Sequence, residues 1–367
     1  MWLVQSIRLT ASGIWSQLQS RISCLHAHNF CLSLYPGLSM LPHAKFWKSE
    51  GDRKVLPAPT TIVPFAGRIG ANQEFSLDKN NCTQIELLQK FPDAAPWIPL
   101  RDALSLRHFI QPELWKAATI EAVGPCARIC NTFATGALVP SLLGAVTAIL
   151  VLPLLIFATG PVSGAHLNPT ITIATFFARL ATLPRCILYI GFQTLGATIA
   201  GLLLRASFDT RSVCYSPPIL GMRHWGSVAD PLKQFTVPGC YMDATKVSPG
   251  NAFAIEFTTD FALIFTAFGV GLDPRQRSVF GPALGPIFVG ITLATCTIVT
   301  GFSRVGYTGF SGNPARCFGA MVGSHFASYH WVHWVAPICA SITHGILYYL
   351  VPPYSRGKAP NASNGSS

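Results

Sequence analysis

Two short segments of this chain place an asparagine directly before a proline in otherwise apolar surroundings. They are SGAHLNPTIT, at 163–172, and TGFSGNPARCFG, at 308–319. Asparagine is a good helix N-cap because its side-chain oxygen accepts from backbone N–H groups, and proline is tolerated at the first helical position. The pattern therefore predicts two helix starts, at Asn168 and Asn313. Each side-chain amide keeps N–H donors that a water molecule or a hydroxyl group could accept from.

The helices that position these pairs are expected to lie in an apolar solvent. Half of the 367 residues are hydrophobic and only 11% are charged, and the mean hydropathy is +0.40, too apolar a composition for an ordinary soluble domain. The charged residues also leave gaps that can each hold the ~20 apolar residues of a membrane-spanning helix. These gaps lie between Arg128 and Arg179, Arg185 and Arg205, Arg277 and Arg304, and Arg316 and Arg356.

Six apolar blocks are long enough to span a bilayer. They lie at about 117–139, 141–159, 183–204, 250–272, 281–303 and 330–351. The two segments that begin with Asn-Pro, at about 168–179 and 313–323, are too short to cross and are predicted to be re-entrant half-helices. The predicted fold class is an all-α membrane protein with six transmembrane helices and two half-helices.

The two halves of this arrangement repeat one pattern. Each Asn-Pro segment follows two spans and precedes a third, so the chain contains two three-helix units, at 113–206 and 250–351, joined by an outer loop at 207–249. Because each unit has an odd number of spans, the second enters the membrane from the opposite side, and such an inverted repeat forms a pathway at its interface. The half-helices are predicted to meet end to end, where their positive ends would repel cations.

Backbone next to each cap would line this pathway. Carbonyl groups around Gly164–His166 and Gly309–Ser311 are expected to act as acceptors, since irregular backbone at that depth lines a cavity or packs on protein. His166 lies just before the first cap, so its titration would make flux sensitive to pH. The residues assigned to the motifs and their approach segments are Asn168, Pro169, Thr170, Asn313, Pro314 and Ala315, with Gly164, Ala165, His166 and Gly309.

The order of these features resembles the aquaporin, or major intrinsic protein, family over about residues 113–351. The resemblance rests on both Asn-Pro loops, on HWVHWVAP at 330–337, and on polar side chains in three spans, which are Glu121, Glu256 and Gln193. The glutamates are expected to satisfy buried N–H groups of the two loops. The resemblance implies a passive channel for water or small uncharged solutes such as glycerol, urea or hydrogen peroxide, and a homotetramer with one pore per subunit. The NPT and NPARC sequences resemble the X intrinsic protein branch.

The resemblance also places a selectivity filter near the outer mouth. Its predicted members are Ala148 in the second span, Gly301 (or Thr300) in the fifth, and Phe310 and Arg316 in the second loop. Ala148 and Gly301 are small where strict water channels carry an aromatic residue and a histidine, which predicts a less restrictive pore. Phe310 is a bulky residue at a position where the family usually has a small one, so it would narrow the pore again. Glycerol facilitators carry an aspartate where this chain has Cys317, so the resemblance does not extend to that branch.

The ends of the chain are predicted to lie in the cytosol, because lysine and arginine concentrate in the N-terminal region, in the connections at 179–185 and 275–277, and in the tail. Residues 1–112 are predicted to be a largely disordered extension and 352–367 a short tail. The first 49 residues contain no acidic residue, which is also typical of a transit peptide, and their apolar start is typical of a signal sequence. The plasma membrane is the expected location.

For most of the cysteines and histidines, a structural role is favoured over a role in metal binding or catalysis. Most cysteines of the spans are expected to be small buried hydrophobic residues. Cys214, Cys240 and Cys317 fall on the outer side, where either a bridge ties the outer loop to the filter loop or the thiols stay unpaired. His330 and His333 have no third ligand beside them, which favours an interfacial aromatic belt over a metal site.

Other classes of function find little support. The formal charge of +11 is not arranged as a basic stripe with interleaved aromatic residues, so no nucleic-acid partner is expected. Motifs of the GxSxG, HExxH and P-loop types do not occur, and neither an enzyme nor a cofactor is predicted. Two alternatives stay open: a non-conducting membrane sensor or scaffold with the same fold, and a secondary transporter, which would show saturable, ion-coupled uptake. The expected partners are the lipid bilayer, water and small neutral solutes.

Overall fold

The structure is a computed structural model that describes residues 64–69, 85–126, 140–207, 240–273, 277–304, 306–324 and 326–351. These parts contain ten α-helices: α1 (Ile85–Lys90), α2 (Leu100–Ala103), α3 (Pro112–Glu121), α4 (Pro140–Ser163), α5 (Pro169–Phe177), α6 (Leu183–Ser207), α7 (Pro249–Ala267), α8 (Arg277–Ser303), α9 (Pro314–Gly323) and α10 (Val332–Leu350). Two short 3₁₀ turns lie at Pro92–Ala94 and Leu106–Ile110, and a π-helical turn at Phe268–Leu272 extends α7.

Four helices of the described residues are long and apolar enough to cross a membrane. These segments are Ala145–Ser163, Leu183–Ala206, Pro249–Leu272 and Ala283–Gly301. The predicted sixth span is helix α10, 19 residues long, and its two histidines keep its mean hydropathy lower. The predicted first span, 117–139, is described only as far as residue 126, and the remainder lies outside the described residues.

The two half-helices, α5 and α9, each pack on a spanning helix of the other repeat. Helix α5 lies against α10, and α9 lies against α6. Glycine allows both close approaches: a Cβ on Gly201 of α6 would lie 2.0 Å from the carbonyl oxygen of Gly319, and a Cβ on Gly345 of α10 would lie 2.6 Å from that of Ala174. The second spans of the repeats, α4 and α8, pack extensively on each other. The repeats therefore form one bundle with exchanged half-helices.

Residues 85–112 of the N-terminal region form short helices and turns, and the largely disordered extension expected over 1–112 stays a prediction. Their short helices and turns pack on the end of the bundle, with the carboxylate of Asp93 2.6 Å from the Arg185 guanidinium and the ring of Trp97 stacked 5.7 Å from that of Tyr348. The segment lacks a core of its own, and its apolar residues are buried on the channel bundle instead. Residues 1–63 and 70–84, the outer-loop residues 208–239 and the tail 352–367 lie outside the described residues.

Candidate functional site

Each half-helix begins at one of the two asparagines. Asn168 has extended backbone angles, and its Oδ1 accepts from the backbone N–H of Thr170 at 3.0 Å. Asn313 has the same conformation, and its Oδ1 accepts from the backbone N–H of Arg316 at 3.2 Å. A proline stands at the first helical position in both cases, where its missing N–H costs nothing. The local sequence therefore determines where each half-helix starts.

The two asparagines join the half-helices tip to tip. The Nδ2 group of Asn168 donates to the carbonyl oxygen of Gly312 at 2.6 Å. In return, Nδ2 of Asn313 donates to the carbonyl oxygen of Leu167 at 2.9 Å. Each side chain thus caps its own helix with its oxygen and binds the residue before the other cap with its nitrogen. Both asparagines are buried.

The first approach loop is held by the carboxylate of Glu121, which is itself fully buried. Its Oε1 accepts from Ser163 Oγ at 2.5 Å and from the backbone N–H of His166 at 3.1 Å. Its Oε2 accepts from the backbone N–H of Leu167 at 2.5 Å and from Gln193 Nε2 at 2.8 Å. Four donors therefore satisfy one intramembrane carboxylate, as a buried acid requires.

The backbone of this loop is strained. Ala165 and Leu167 adopt positive φ angles of 58° and 54°, beside Gly164 at 85°. Non-glycine residues rarely adopt this left-handed conformation, which persists only where the surroundings enforce it and which clusters at functional sites. The hydrogen bonds to Glu121 hold the N–H groups on one side, so the carbonyl groups of Gly164 and Leu167 are left to other partners.

The second approach loop is held by Glu256 of α7. Both oxygens of this buried carboxylate accept from the backbone N–H of Ser311, at 3.0 and 3.1 Å, and Oε1 also accepts from the hydroxyl of Tyr307. Gly309 and Gly312 of the loop have positive φ angles of 102° and 62°. Glu256 therefore has the place in the second repeat that Glu121 has in the first.

His333 belongs to this second support and not to an interfacial aromatic belt, which corrects the interpretation from sequence. Its side chain is only 1% exposed, and its Nδ1 lies 3.4 Å from Glu256 Oε1. Its place, in the third span of the second repeat, matches that of Gln193 in the third span of the first. The internal repeat was the signal that could have identified it.

The predicted charged member of the filter, Arg316, is buried at the start of α9. Its Nη1 donates to the carbonyl oxygen of Ser311 at 3.3 Å and lies 3.5 Å from Cys240 Sγ. Cys240 forms a disulfide with Cys317, so of the two alternatives for these thiols the bridge is present. It ties the end of the outer loop to the residue after Arg316. Cys214 lies outside the described residues.

The other predicted filter members differ in their surroundings. The backbone N–H of Phe310 donates to Thr300 Oγ1 at 2.8 Å, and a Cβ on Gly309 would lie 3.2 Å from Gly301 Cα. Helix α8 and the second loop are therefore in direct contact at these positions. Ala148 lies where α4 packs on α8, because a Cβ on Gly290 would lie 3.2 Å from its carbonyl oxygen. The assignment of the four residues to one filter stays a prediction.

The region around His166 contains residues that the sequence did not link to the site. The ring nitrogens of His166 lie 2.8 Å from the carbonyl oxygen of Gly67 and 3.1 Å from Thr172 Oγ1. Arg68, which is fully buried, donates from Nη1 to the carbonyl oxygen of Gly160 at 2.6 Å. Gly67 and Arg68 belong to the region predicted to be disordered, and no spacing or motif in the sequence connects them with the first half-helix.

A helical membrane bundle in which two oppositely directed half-helices meet at their caps belongs to the inverted-repeat class of membrane proteins. The family model described as "Major intrinsic protein" matches residues 118–348, which is more than half of the chain. The chain belongs to the major intrinsic protein family and is an integral membrane protein.

Several curated relatives are similar to this chain over its helical part. Aquaporin-5 of Mus musculus is 33% identical over 200 residues, which are 54% of this chain and 64% of that protein. Aquaporin-4 of Bos taurus is 32% identical over 193 residues, 52% of this chain and 50% of that protein. The chain thus spans less than two thirds of the length of these relatives. A solved structure, that of the aquaglyceroporin from Plasmodium falciparum, matches with 22% identity, 67% coverage of this chain, 96% coverage of that one and a TM-score of 0.47.

Proposed function

We propose that this chain is a passive transmembrane channel for water and small uncharged solutes such as glycerol, urea or hydrogen peroxide. The observation that carries the proposal is the reciprocal bonding of the two caps, from Asn168 to Gly312 and from Asn313 to Leu167. A non-conducting scaffold would have no need for two buried approach loops in the middle of a bilayer, one of them strained at Ala165 and Leu167. The proposal assigns no catalysis, cofactor or metal to the chain.

The asparagine pair accounts for passage of neutral polar molecules. A primary amide has two N–H donors, and the bond across the half-helix junction uses one of them on each side chain. The second donors of Asn168 and Asn313 would bind the oxygen of a water or hydroxyl group between them. The positive ends of α5 and α9 meet at the same point, so cations are repelled and the bound molecule is held in one orientation, which interrupts proton relay.

The proposed filter favours solutes larger than water. Ala148 and Gly301 contribute little side-chain volume, and the bulk of Phe310 is taken up by packing, because its side chain is 2% exposed within the large apolar cluster that includes Leu293 and Ile156. The guanidinium of Arg316 is oriented by its hydrogen bond to the carbonyl oxygen of Ser311 and would supply the positive charge of the filter. These contacts support a pore less restrictive than a water-only channel, although Phe310 is bulky.

The assembly and the membrane are part of the same proposal. We expect a homotetramer with one pathway per subunit, located in the plasma membrane. Arg179 and Arg185 lie beside the ordered N-terminal residues, since the backbone N–H of Ile98 donates to the carbonyl oxygen of Arg179 at 3.1 Å. The positive-inside rule puts such a face in the cytosol, and with it both termini.

A permeability panel on proteoliposomes tests the proposal. Stopped-flow light scattering would follow water, glycerol and urea, and an enclosed peroxide-sensitive dye would follow hydrogen peroxide. Flux above that of empty vesicles and linear in the gradient is expected; saturable, ion-coupled uptake would indicate a transporter. Absence of flux for all four solutes, both in the wild type and in Arg68→Ala, which removes the buried arginine bound to the carbonyl oxygen of Gly160, would leave the sensor or scaffold as the function.

A further inference from the structure

Residues 64–69 form a docking segment on the end of the bundle where the first half-helix enters. Phe65, Ala66, Gly67, Arg68 and Ile69 are all buried, and Arg68 and Phe65 are among the largest fully buried side chains of the described residues. This burial is achieved without a helix or a core of its own. The segment is therefore held by the channel bundle.

The docking segment binds the carbonyl side of the first approach loop. The backbone N–H of Ile69 donates to the carbonyl oxygen of Gly164 at 2.9 Å, and the carbonyl oxygen of Gly67 lies 2.8 Å from His166 Nε2. Glu121 occupies the opposite, N–H side of this loop. The docking segment thus uses polar groups that a solute would need at this end of the pathway.

Arg68 supplies the charged contact. Its Nη1 donates to the carbonyl oxygens of Gly160 and Pro161, at 2.6 and 3.2 Å, in the last turn of α4. Carbonyl groups at a helix C-terminus lack partners within the helix and carry partial negative charge, so a guanidinium is a favourable partner. This contact holds the docking segment across the start of the loop.

The fit around Phe65 is close. Its ring lies 5.4 Å from that of His166 and 4.0 Å from the Arg185 guanidinium carbon. A Cβ on Gly164 would lie 2.8 Å from Phe65 Cδ1 and 3.0 Å from Arg68 Cγ. Position 164 therefore has no room for a side chain while the docking segment is bound.

We propose that the docking segment is an autoinhibitory element that closes the pathway at His166 and opens it on release. The inference rests on the proposed channel function. All contacts of the segment with the loop and with α4 are non-covalent, so docked and released forms can exchange. In the docked form Gly164 and His166 are bound to the segment, and in the released form they face the solute.

Water permeability per protein in proteoliposomes tests this closure in full-length variants. Arg68→Ala removes two hydrogen bonds from a charged donor, which shifts the docking equilibrium by about tenfold or more, and permeability is expected to rise by up to that factor. Phe65→Ala removes the ring contacts independently and is expected to raise permeability too, while Arg68→Lys, with a single ammonium, falls between wild type and Arg68→Ala. Arg101→Ala is the matched control, because Arg101 is an exposed arginine of α2.

The outcomes separate the inference from the function on which it rests. Permeability that rises in Arg68→Ala and Phe65→Ala but not in Arg101→Ala supports both. Wild-type flux above empty vesicles, with no increase in either variant, overturns the autoinhibitory role and leaves the channel intact. If no chain conducts any solute, the channel function fails and the inference falls with it. Size-exclusion elution verifies that each variant is folded. If Arg68→Ala does not fold, Phe65→Ala alone tests the closure.

Discussion

The two approach loops solve one problem in the same way but differ in how firmly they are supported. Both contain backbone N–H groups buried at membrane depth, and both bind a carboxylate from a spanning helix. Glu121 accepts from two backbone N–H groups and two side chains, whereas Glu256 binds one backbone N–H and the hydroxyl of Tyr307, beside His333. The first loop, which has positive φ angles at Ala165 and Leu167, receives the larger support.

The residues that pack beside the two loops differ more than the carboxylates that support them. Next to the first loop lies a peptide segment that is bound by hydrogen bonds and ring contacts, around Arg68. Next to the second loop, the Cys240–Cys317 disulfide links the end of the outer loop covalently to helix α9. A non-covalent contact can be released and a disulfide cannot without reduction. The proposed regulation therefore falls at the first end, whereas the second end stays fixed unless the bridge is reduced.

Removal of either glutamate should cause the largest loss in the free energy of unfolding. The two losses should show which loop is held more firmly. Glu121→Ala leaves four buried donors without their acceptor, at about 1–3 kcal/mol each, so we expect a loss of about 5 kcal/mol or more in the free energy of unfolding. Glu256→Ala leaves two such donors and should cost about half as much. Thermal unfolding in detergent measures the order, with Glu113→Ala, which removes the acid of a part-exposed pair with Lys90, as the control. Equal losses would show that the two supports are equivalent.

Breaking the contact between the N-terminal region and the bundle should cause the next largest loss in the free energy of unfolding. Asp93→Ala leaves Arg185 buried without its carboxylate, since both side chains are less than 5% exposed, and removal of one partner of such a pair costs about 3 kcal/mol. Asp102→Ala removes the acid of an exposed pair with Arg107 and should cost about 0.5 kcal/mol. Similar unfolding midpoints for the two variants would contradict a structural role for the N-terminal region.

Loss of the disulfide should lower the free energy of unfolding by less, because the bridge acts only beside the second loop. The double variant Cys240→Ala/Cys317→Ala is expected to lose about 2 kcal/mol, because the bridge restrains the unfolded chain. A reducing agent should lower the unfolding midpoint of the wild type and leave that of the double variant unchanged. Cys339→Ala, at a partly buried free thiol, is the control. A wild type that does not respond to the reductant, once thiol labelling shows that the bridge is open, would argue against this role.

The features that the sequence predicted depend on local chemistry. An asparagine followed by proline determines a helix start within a few residues, so α5 and α9 begin where Asn168 and Asn313 predicted them. The repeat of spans around each motif then implied that the two caps meet. A glutamate in an apolar span needs buried donors, and the loops were the nearest candidates for Glu121 and Glu256.

The features that the sequence did not predict depend on contacts between distant residues. Arg68 binds carbonyl groups 92 and 93 residues away, and an arginine in a polar, proline-containing region carries no local sign of burial. His333 looked like part of an aromatic belt because its neighbours are tryptophans, and only the packing of α10 on α7 brings it to Glu256. The partner of Cys317 was undecided for the same reason.

The proposed pathway is tested most directly by the water permeability of Asn168→Asp and Asn313→Asp, each in the Arg68→Ala background, which removes the proposed closure at the first end. Aspartate keeps the capping oxygen but removes the amide donors and adds a charge next to the carbonyl oxygen of Gly312 or Leu167. Both variants are expected to fold and to lose permeability, by about tenfold or more. Permeability equal to that of the parent in either variant would contradict the claim that the pathway runs between the two asparagines.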